Sequence, residues 1–145
     1  MLIGGSDHNI DKKGRIFVPS RFKNDFGDSV VMCANTFGQK CLWGFSQEGF
    51  EKFCDKLNKL PYAKTQNIYR TLSDSAAFAE LDASGRVLIP SELREFAGID
   101  TEVHIVGMKN NIEIWSAEHW AEEKTKLKNE DFAPIIDEIG FSFGD

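Results

Sequence analysis

DKKGRIFVPSRFKNDFG, residues 11–27, recurs at a constant offset as DASGRVLIPSELREFAG, residues 82–98. Asp11 matches Asp82, Gly14 matches Gly85, Arg15 matches Arg86, and Pro19-Ser20 matches Pro90-Ser91. The apolar positions match in kind: Ile16, Phe17 and Val18 against Val87, Leu88 and Ile89, and Phe22 against Leu93. Two copies at this spacing do not make a solenoid. They point to a duplicated small domain with approximate internal two-fold symmetry.

Each copy reads as turn, strand, then short helix. Asp followed three residues later by Gly suits a type I turn whose glycine takes a positive φ. Arg and three apolar residues follow, rich in β-branched side chains, which reads as a strand. Proline ends the ladder because it has no N–H to donate, and Ser20 or Ser91 is placed to cap a helix. Phe22 and Phe26 share one face of the first helix, as do Leu93 and Phe96 of the second. Gly27 and Gly98 stand where a helix terminus favours glycine.

Outward from the repeat, residues 3–10 read as a strand that forms a hairpin with residues 15–18. Residues 29–34 and 41–45 read as a second hairpin around the loop 35–39. Ser46 caps a helix over 47–60 that Pro61 ends, and a second helix covers 64–72. The later half repeats the order, with strands at 78–81, 102–108 and 112–115 and a helix over 117–128 capped by Ser116. The divisions that follow are a first half at 1–60, a helical linker at 61–75, a second half at 76–128 and a tail at 129–145. The tail carries Pro134, Ile135, Ile136, Ile139, Phe141 and Phe143. That is too apolar for a purely solvated segment, so docking on a neighbour or on the body is expected.

Apolar and charged residues are balanced as in a globular protein. No apolar run approaches the length a membrane-spanning helix needs, and the first residues lack a signal-peptide core. A cytoplasmic location is the expectation. Cys33, Cys41 and Cys54 show no metal-ligand spacing and read as buried free thiols. Only Cys33 and Cys41 lie where a hairpin could bridge them, and a reducing cytosol disfavours that. His8 reads as an edge-strand or hydrogen-bonded histidine, His104 as facing out, and His119 as lacking a partner. Phe37, Trp43, Phe45, Trp115 and Trp120 read as core packing rather than base-stacking platforms. No phosphate cradle, nucleophile elbow or zinc motif is present, so neither an enzymatic activity nor a cofactor or metal is expected.

The Asp-x-x-Gly-Arg turns, the Pro-Ser junctions, the glycine-closed helices and the stretch Asn111-Ile-Glu-Ile-Trp115 together carry a resemblance. They resemble the SpoVT/AbrB-type swapped-hairpin DNA-binding fold, and the doubled form resembles the bacterial MraZ family. The resemblance covers nearly the whole chain except the last dozen or so residues. It implies an α+β fold of tandem SpoVT/AbrB-like β-hairpin barrel halves with short helices, related by a pseudo-two-fold axis. It also implies a sequence-specific DNA-binding transcriptional repressor, nucleoid-associated, that binds short G-rich direct repeats upstream of its own division and cell-wall operon. Ring-like homo-oligomers are implied, and a contact with a neighbouring rRNA methyltransferase is allowed.

The net charge of −6 argues mildly against nucleic acid, but cations cluster in the first copy. Asp11 and Gly14, and Asp82 and Gly85, are what the turns need. Arg15 and Arg86 read either as cross-turn ion pairs, which contribute roughly 0–1 kcal/mol when exposed, or as forks for phosphate or guanine. Lys12 and Lys13 are not needed by the turn, since Ala83 and Ser84 serve the same backbone, so the first turn is the candidate DNA contact. The second turn has resemblance in its favour and local charge against it. Arg21 and Lys23 read either as a solvated helix face or as further DNA contacts. A competing reading is a protein-interaction module that contacts its partner through the acidic helix after Ser116 and the apolar tail. An AbrB-like antitoxin is the weaker alternative, because such chains usually carry one hairpin copy.

Overall fold

In the computed structural model, which describes residues 1–142, eight strands and six α-helices alternate along the chain. The first half contributes β1 (Leu2–Asn9), β2 (Arg15–Phe17), a 3₁₀ turn (Ser20–Phe22), α1 (Lys23–Phe26), β3 (Ser29–Ala34), β4 (Leu42–Phe45), α2 (Gln47–Leu57) and α3 (Tyr62–Ser75). The second contributes β5 (Ala77–Glu80), β6 (Arg86–Leu88), α4 (Ser91–Ala97), β7 (Glu102–Lys109), β8 (Ile112–Ser116), α5 (Ala117–Asn129) and α6 (Ala133–Ile139). The expected α+β class and doubled hairpin architecture are both present.

The strands form a six-stranded antiparallel sheet, ordered β1-β7-β8-β4-β3-β5, and a two-stranded ribbon of β2 and β6. The sheet order reads the same from either end once each strand is exchanged for its counterpart in the other half. At the centre Trp43 faces Glu113, flanked by Leu42 with Ile114 and Gly44 with Ile112. In the ribbon Ile16 faces Val87, flanked by Arg15 with Leu88 and Phe17 with Arg86. Both ladders are symmetric about their middle pair, so one pseudo-dyad passes through Ile16–Val87 and Trp43–Glu113.

The first strands are exchanged between halves. β1 pairs along its whole length with β7, and β5 pairs with β3. This corrects the expected hairpin between residues 3–10 and 15–18. The turn closes with the Asp11 N–H donating to the Arg15 carbonyl at 3.0 Å, but the strands then part. Three residues of β2 before Pro19 offer a short ladder, whereas β7 offers eight positions in register.

One face of the sheet carries the main core, where Ile16, Val18, Phe22, Phe26, Val87, Ile89 and Leu93 pack on Val30, Met32, Leu42, Val103, Ile105 and Ile114. On the other face α2 and α3 cover Val31, Cys33, Trp43 and Phe45 of the first half. Cys33 and Cys41 are buried and free, and burial pushes both thiols up to about 12. Trp43, Phe45 and Trp115 are buried as expected, but Phe37 is 86% exposed at the tip of the β3–β4 loop, its ring edge-on to Trp43. A tip residue has no second layer to cover it.

Ser46 and Ser116 cap α2 and α5, accepting from the Gly49 and His119 N–H groups. Ser20 and Ser91 do not cap. Pro19 and Pro90 occupy those positions with φ −51° and −56°, and their fixed φ with extended ψ sets the helix entry, drawing each serine into the first turn. His104 is not turned outward: it stacks on Trp120 at 4.4 Å and meets Asp7 Oδ1 at 2.7 Å. β1 and α5 cover the flank of β7 that alternation alone left open. His119 has a partner, the Ala97 carbonyl, at 3.1 Å. His8 shares a hydrogen bond with Ser6 on the edge strand β1. α6 does not dock on the body as the tail was expected to, since each of its residues is exposed; Phe143 lies outside the described residues. No described helix is long and apolar enough to cross a membrane.

Candidate nucleic-acid interface

The two repeated turns meet across the pseudo-dyad and are built alike. In the first, the Gly14 N–H donates to the Asp11 carbonyl. One oxygen of the Asp11 carboxylate accepts from the N–H groups of Lys13 and Arg15 at 3.0 and 2.8 Å. The other accepts from Arg15 Nε at 2.7 Å. In the second, Asp82 accepts from the N–H groups of Ser84 and Arg86 and from Arg86 Nε, each at 2.9 Å. Gly14 and Gly85 take φ of +91° and +85°, which a side chain would disfavour. The Arg15 backbone N–H leads the causes that hold the Asp11 carboxyl down at about 2, and the Arg86 N–H likewise lowers Asp82. Both acids are carboxylates at any physiological pH, and both clasps are closed.

The turns also hold each other. The Val18 N–H donates to the Gly85 carbonyl at 3.1 Å, and the Ile89 N–H donates to the Gly14 carbonyl at 2.8 Å. These are equivalent bonds in the two halves. Arg86 Nη1 lies 3.7 Å from Asp11 Oδ2, so one carboxylate faces both arginines. Sequence reading left Arg15 and Arg86 between ion pair and ligand fork. The structure shows that each is an ion pair through Nε, with a side chain still 29% and 27% exposed. Arginine has five N–H donors, so the clasp occupies one nitrogen and fixes the plane of the fork without exhausting it.

Lys12 and Lys13 are exposed at the first tip and form no ion pair among the described residues. The matching tip of the second half presents Ala83 and Ser84, also exposed. Lys23 reaches from α1 to the second turn, with Nζ 3.0 Å from where a Cβ on Gly85 would stand. Arg21 is not gathered with them. Its Nη2 donates to Ser6 Oγ at 3.4 Å and its guanidinium lies over the Phe22 ring, against β1.

Three residues were not singled out from sequence. Arg94, on α4, packs its guanidinium over Gly14 and donates from Nε to the Ile89 carbonyl at 3.0 Å. It stands at the offset of the repeat from Lys23, so a cation kept in both copies was the available signal. Phe17 and Leu88 are 52% and 49% exposed and alternate with Arg15 and Arg86 on the outer face of the ribbon, while Ile16 and Val87 face the core. Arg86 lies 5.8 Å from the Phe17 ring centre. The period-2 alternation of a strand predicts that placement once the strand is known to be half-exposed.

The result is a twisted two-stranded ribbon with guanidinium and apolar side chains on its outer face, flanked by lysines. Such a ribbon is narrow enough for the major groove of B-DNA. No group of three or more His, Cys, Asp or Glu among the described residues is placed to hold a metal.

Comparison with known proteins agrees with this architecture. A family model described as "MraZ protein, putative antitoxin-like" matches residues 1–68 and 73–137, one segment for each half. A transcriptional regulator MraZ from Caldicellulosiruptor bescii is 38% identical, the match covering 97% of this chain and 99% of that protein. One from Lachnoclostridium phytofermentans is also 38% identical, covering 99% of this chain and all of that protein. One from Lactobacillus gasseri is 36% identical over 96% of this chain and 99% of its own length.

Proposed function

The chain belongs to the MraZ family, and from that premise we propose that it is a transcriptional regulator that binds duplex DNA through its crossed turns. The relatives named above are called transcriptional regulators, which supports regulation rather than catalysis. The observation that carries the DNA contact is the first turn. Two lysines with no ion pair among the described residues stand beside a guanidinium whose plane is fixed by Asp11. In this reading Lys12 and Lys13 hold phosphates, which sets position. Arg15, with Arg86 beside it, presents donors to base edges, which sets sequence. Lys23 and Arg94 add charge at the flanks, and Arg21, docked on β1, contributes little.

The finer reading extends the same logic. The protein represses its own division and cell-wall operon by binding short direct repeats upstream of it, and it acts as a ring-like oligomer in the nucleoid. One small turn binds weakly, and linked turns on repeated sites act at high effective concentration. The acidic remainder of the chain limits nonspecific binding. A second reading, regulation of a neighbouring rRNA methyltransferase by direct contact, draws on the exposed apolar helix α6.

Titration of the protein's own upstream region with wild type, Arg15→Ala and Arg21→Ala tests the assignment. Arg15→Ala is expected to weaken binding far more than Arg21→Ala. Equal, near-wild-type affinities for the two variants refute the site, and binding that does not weaken with salt favours the protein partner.

A further inference from the structure

α2 and α5 occupy equivalent places in the two halves and lie on the same face of the sheet, with β4 and β8 between them. They form the walls of an open groove of about 1180 Å³ across the pseudo-dyad. Pockets for small ligands run to roughly 300–1000 Å³, so this groove is wide enough for a piece of secondary structure. Trp43, Phe45 and Trp115 form its floor, and Phe53, Trp120 and Leu127 form its walls. α3 closes over the first half's side of this face.

The chain also carries a helix whose apolar stripe is exposed. Phe132, Ile135, Ile136 and Ile139 fall at i, i+3, i+4 and i+7, a single apolar stripe along α6 and its N-cap. They are 46%, 53%, 37% and 65% exposed. This spacing is that of helices that anchor in hydrophobic grooves. Eight residues of helix span about 12 Å, and the Ala133 N–H donating to Asp131 Oδ1 fixes the entry into the helix.

Charge complements the fit. From residue 129 to 142 the tail holds four acids, Glu130, Asp131, Asp137 and Glu138, and no base. Lys56, Lys59 and Lys109 line the groove without an ion pair among the described residues. Of the acids that line it, Asp25, Glu48 and Glu123 already have cations. Glu113 accepts from the Trp115 indole N–H at 3.1 Å, and Asp55 is the remaining acid of the lining.

We propose that α6 of one copy seats in the α2–α5 groove of a second copy, apolar stripe inward and acids toward the lysine rim. The contact is head-to-tail, and a heterologous contact of this kind closes into a ring when its rotation permits. It rests on the oligomeric part of the reading above and on none of the DNA assignments.

The test uses full-length chains with exposed positions changed, so that each variant folds. Ile135→Glu/Ile136→Glu removes the tail stripe, and Met108→Glu/Leu127→Glu charges the groove. Light scattering is expected to show an oligomer for wild type and a single chain for each variant, with the assembly constant weakened more than about tenfold. An equimolar mixture of the two variants is expected to give a two-chain species, since one keeps its groove and the other its tail. Variants that retain the wild-type mass, or a mixture that stays monomeric, overturn the tail contact while leaving oligomerisation standing. A wild-type chain that weighs as a monomer overturns both. If that monomer's tryptophan emission shifts on Ile135→Glu/Ile136→Glu, the tail fills its own groove, which equally refutes the second-copy proposal.

Discussion

Replacing Lys12 and Lys13 together by alanine separates DNA contact from fold. Both side chains are exposed and form no ion pair among the described residues, and the contribution of Lys13 to the turn comes from its backbone N–H, which alanine keeps. The double variant should therefore unfold within about 0.5 kcal/mol of wild type, as surface changes do. Its DNA binding should change by far more. Each lysine that neutralises a phosphate adds roughly 0.9 to the slope of log affinity against log salt. Two lysines lower that slope by about 1.8, and at about 0.15 M salt this corresponds to roughly thirtyfold weaker binding per engaged turn. The assay is fluorescence anisotropy with a duplex from the upstream region, repeated over a series of salt concentrations. The reciprocal variant, Ala83→Lys/Ser84→Lys, places the same pair on the second turn and should steepen the slope. A folded Lys12→Ala/Lys13→Ala protein with an unchanged slope removes the first turn from the DNA interface.

Other expectations follow from the clasps and the core. Gly14→Ala should cost more than Gly85→Ala, each above roughly 1 kcal/mol for the positive φ. The new methyl at Gly14 meets an Arg94 guanidinium anchored on the Ile89 carbonyl, whereas at Gly85 it meets the flexible end of Lys23; urea denaturation of both variants decides. Asp11 has a folded pKa of about 2, below the unfolded value of about 3.9. The folded state thus binds fewer protons, and the contribution of the clasp is fully present above about pH 5 and lost as pH falls from about 4 to 2. Asp11→Asn should be less stable at neutral pH, and its stability should fall less steeply in that acid window. Phe22→Ala, at a side chain 1% exposed against Phe26, should destabilise by roughly 3–5 kcal/mol. Phe37→Ala should change stability by less than about 0.5 kcal/mol; a large loss at Phe37 would show that the loop tip is packed after all.

Most elements were legible because their signals are local. Ser46 and Ser116 open helices, the strand at Ser29–Ala34 stands where its β-branched run placed it, and Gly14 and Gly85 take the conformation their turns required. What failed was long-range. A strand followed by a tight turn and another strand reads as a hairpin, and nothing within residues 3–18 says that β1 prefers β7, about a hundred residues away. The same ignorance of neighbours put His104 outward and left His119 without a partner. In the candidate site, the turn residues were visible because the repeat wrote them twice. Arg94 holds the position of Lys23 in the second copy, but its place over Gly14 depends on the other half and is not visible within its own helix. Phe17 and Leu88 match in kind across the repeat, but the opposite faces of a three-residue strand look alike until one face is covered, so the sequence does not mark them as outward.

The duplication also bears on how an acidic chain can address DNA. In a dimer of identical single-hairpin chains every change at one turn appears at both, so a cation added for binding is added twice. Fusion removes that constraint. Here both turns keep Asp, Gly and Arg: Asp and Arg close each clasp, and the Gly14 and Gly85 carbonyls accept the reciprocal bonds from Ile89 and Val18. Only the first turn carries Lys12 and Lys13. What the fold needs is thus held in common by the halves, and what it does not need is held by one. That division supports reading the lysines as functional even though the net charge is −6, because phosphate contact depends on charge within about a Debye length, near 10 Å at 0.1 M salt, and not on the sum over the chain.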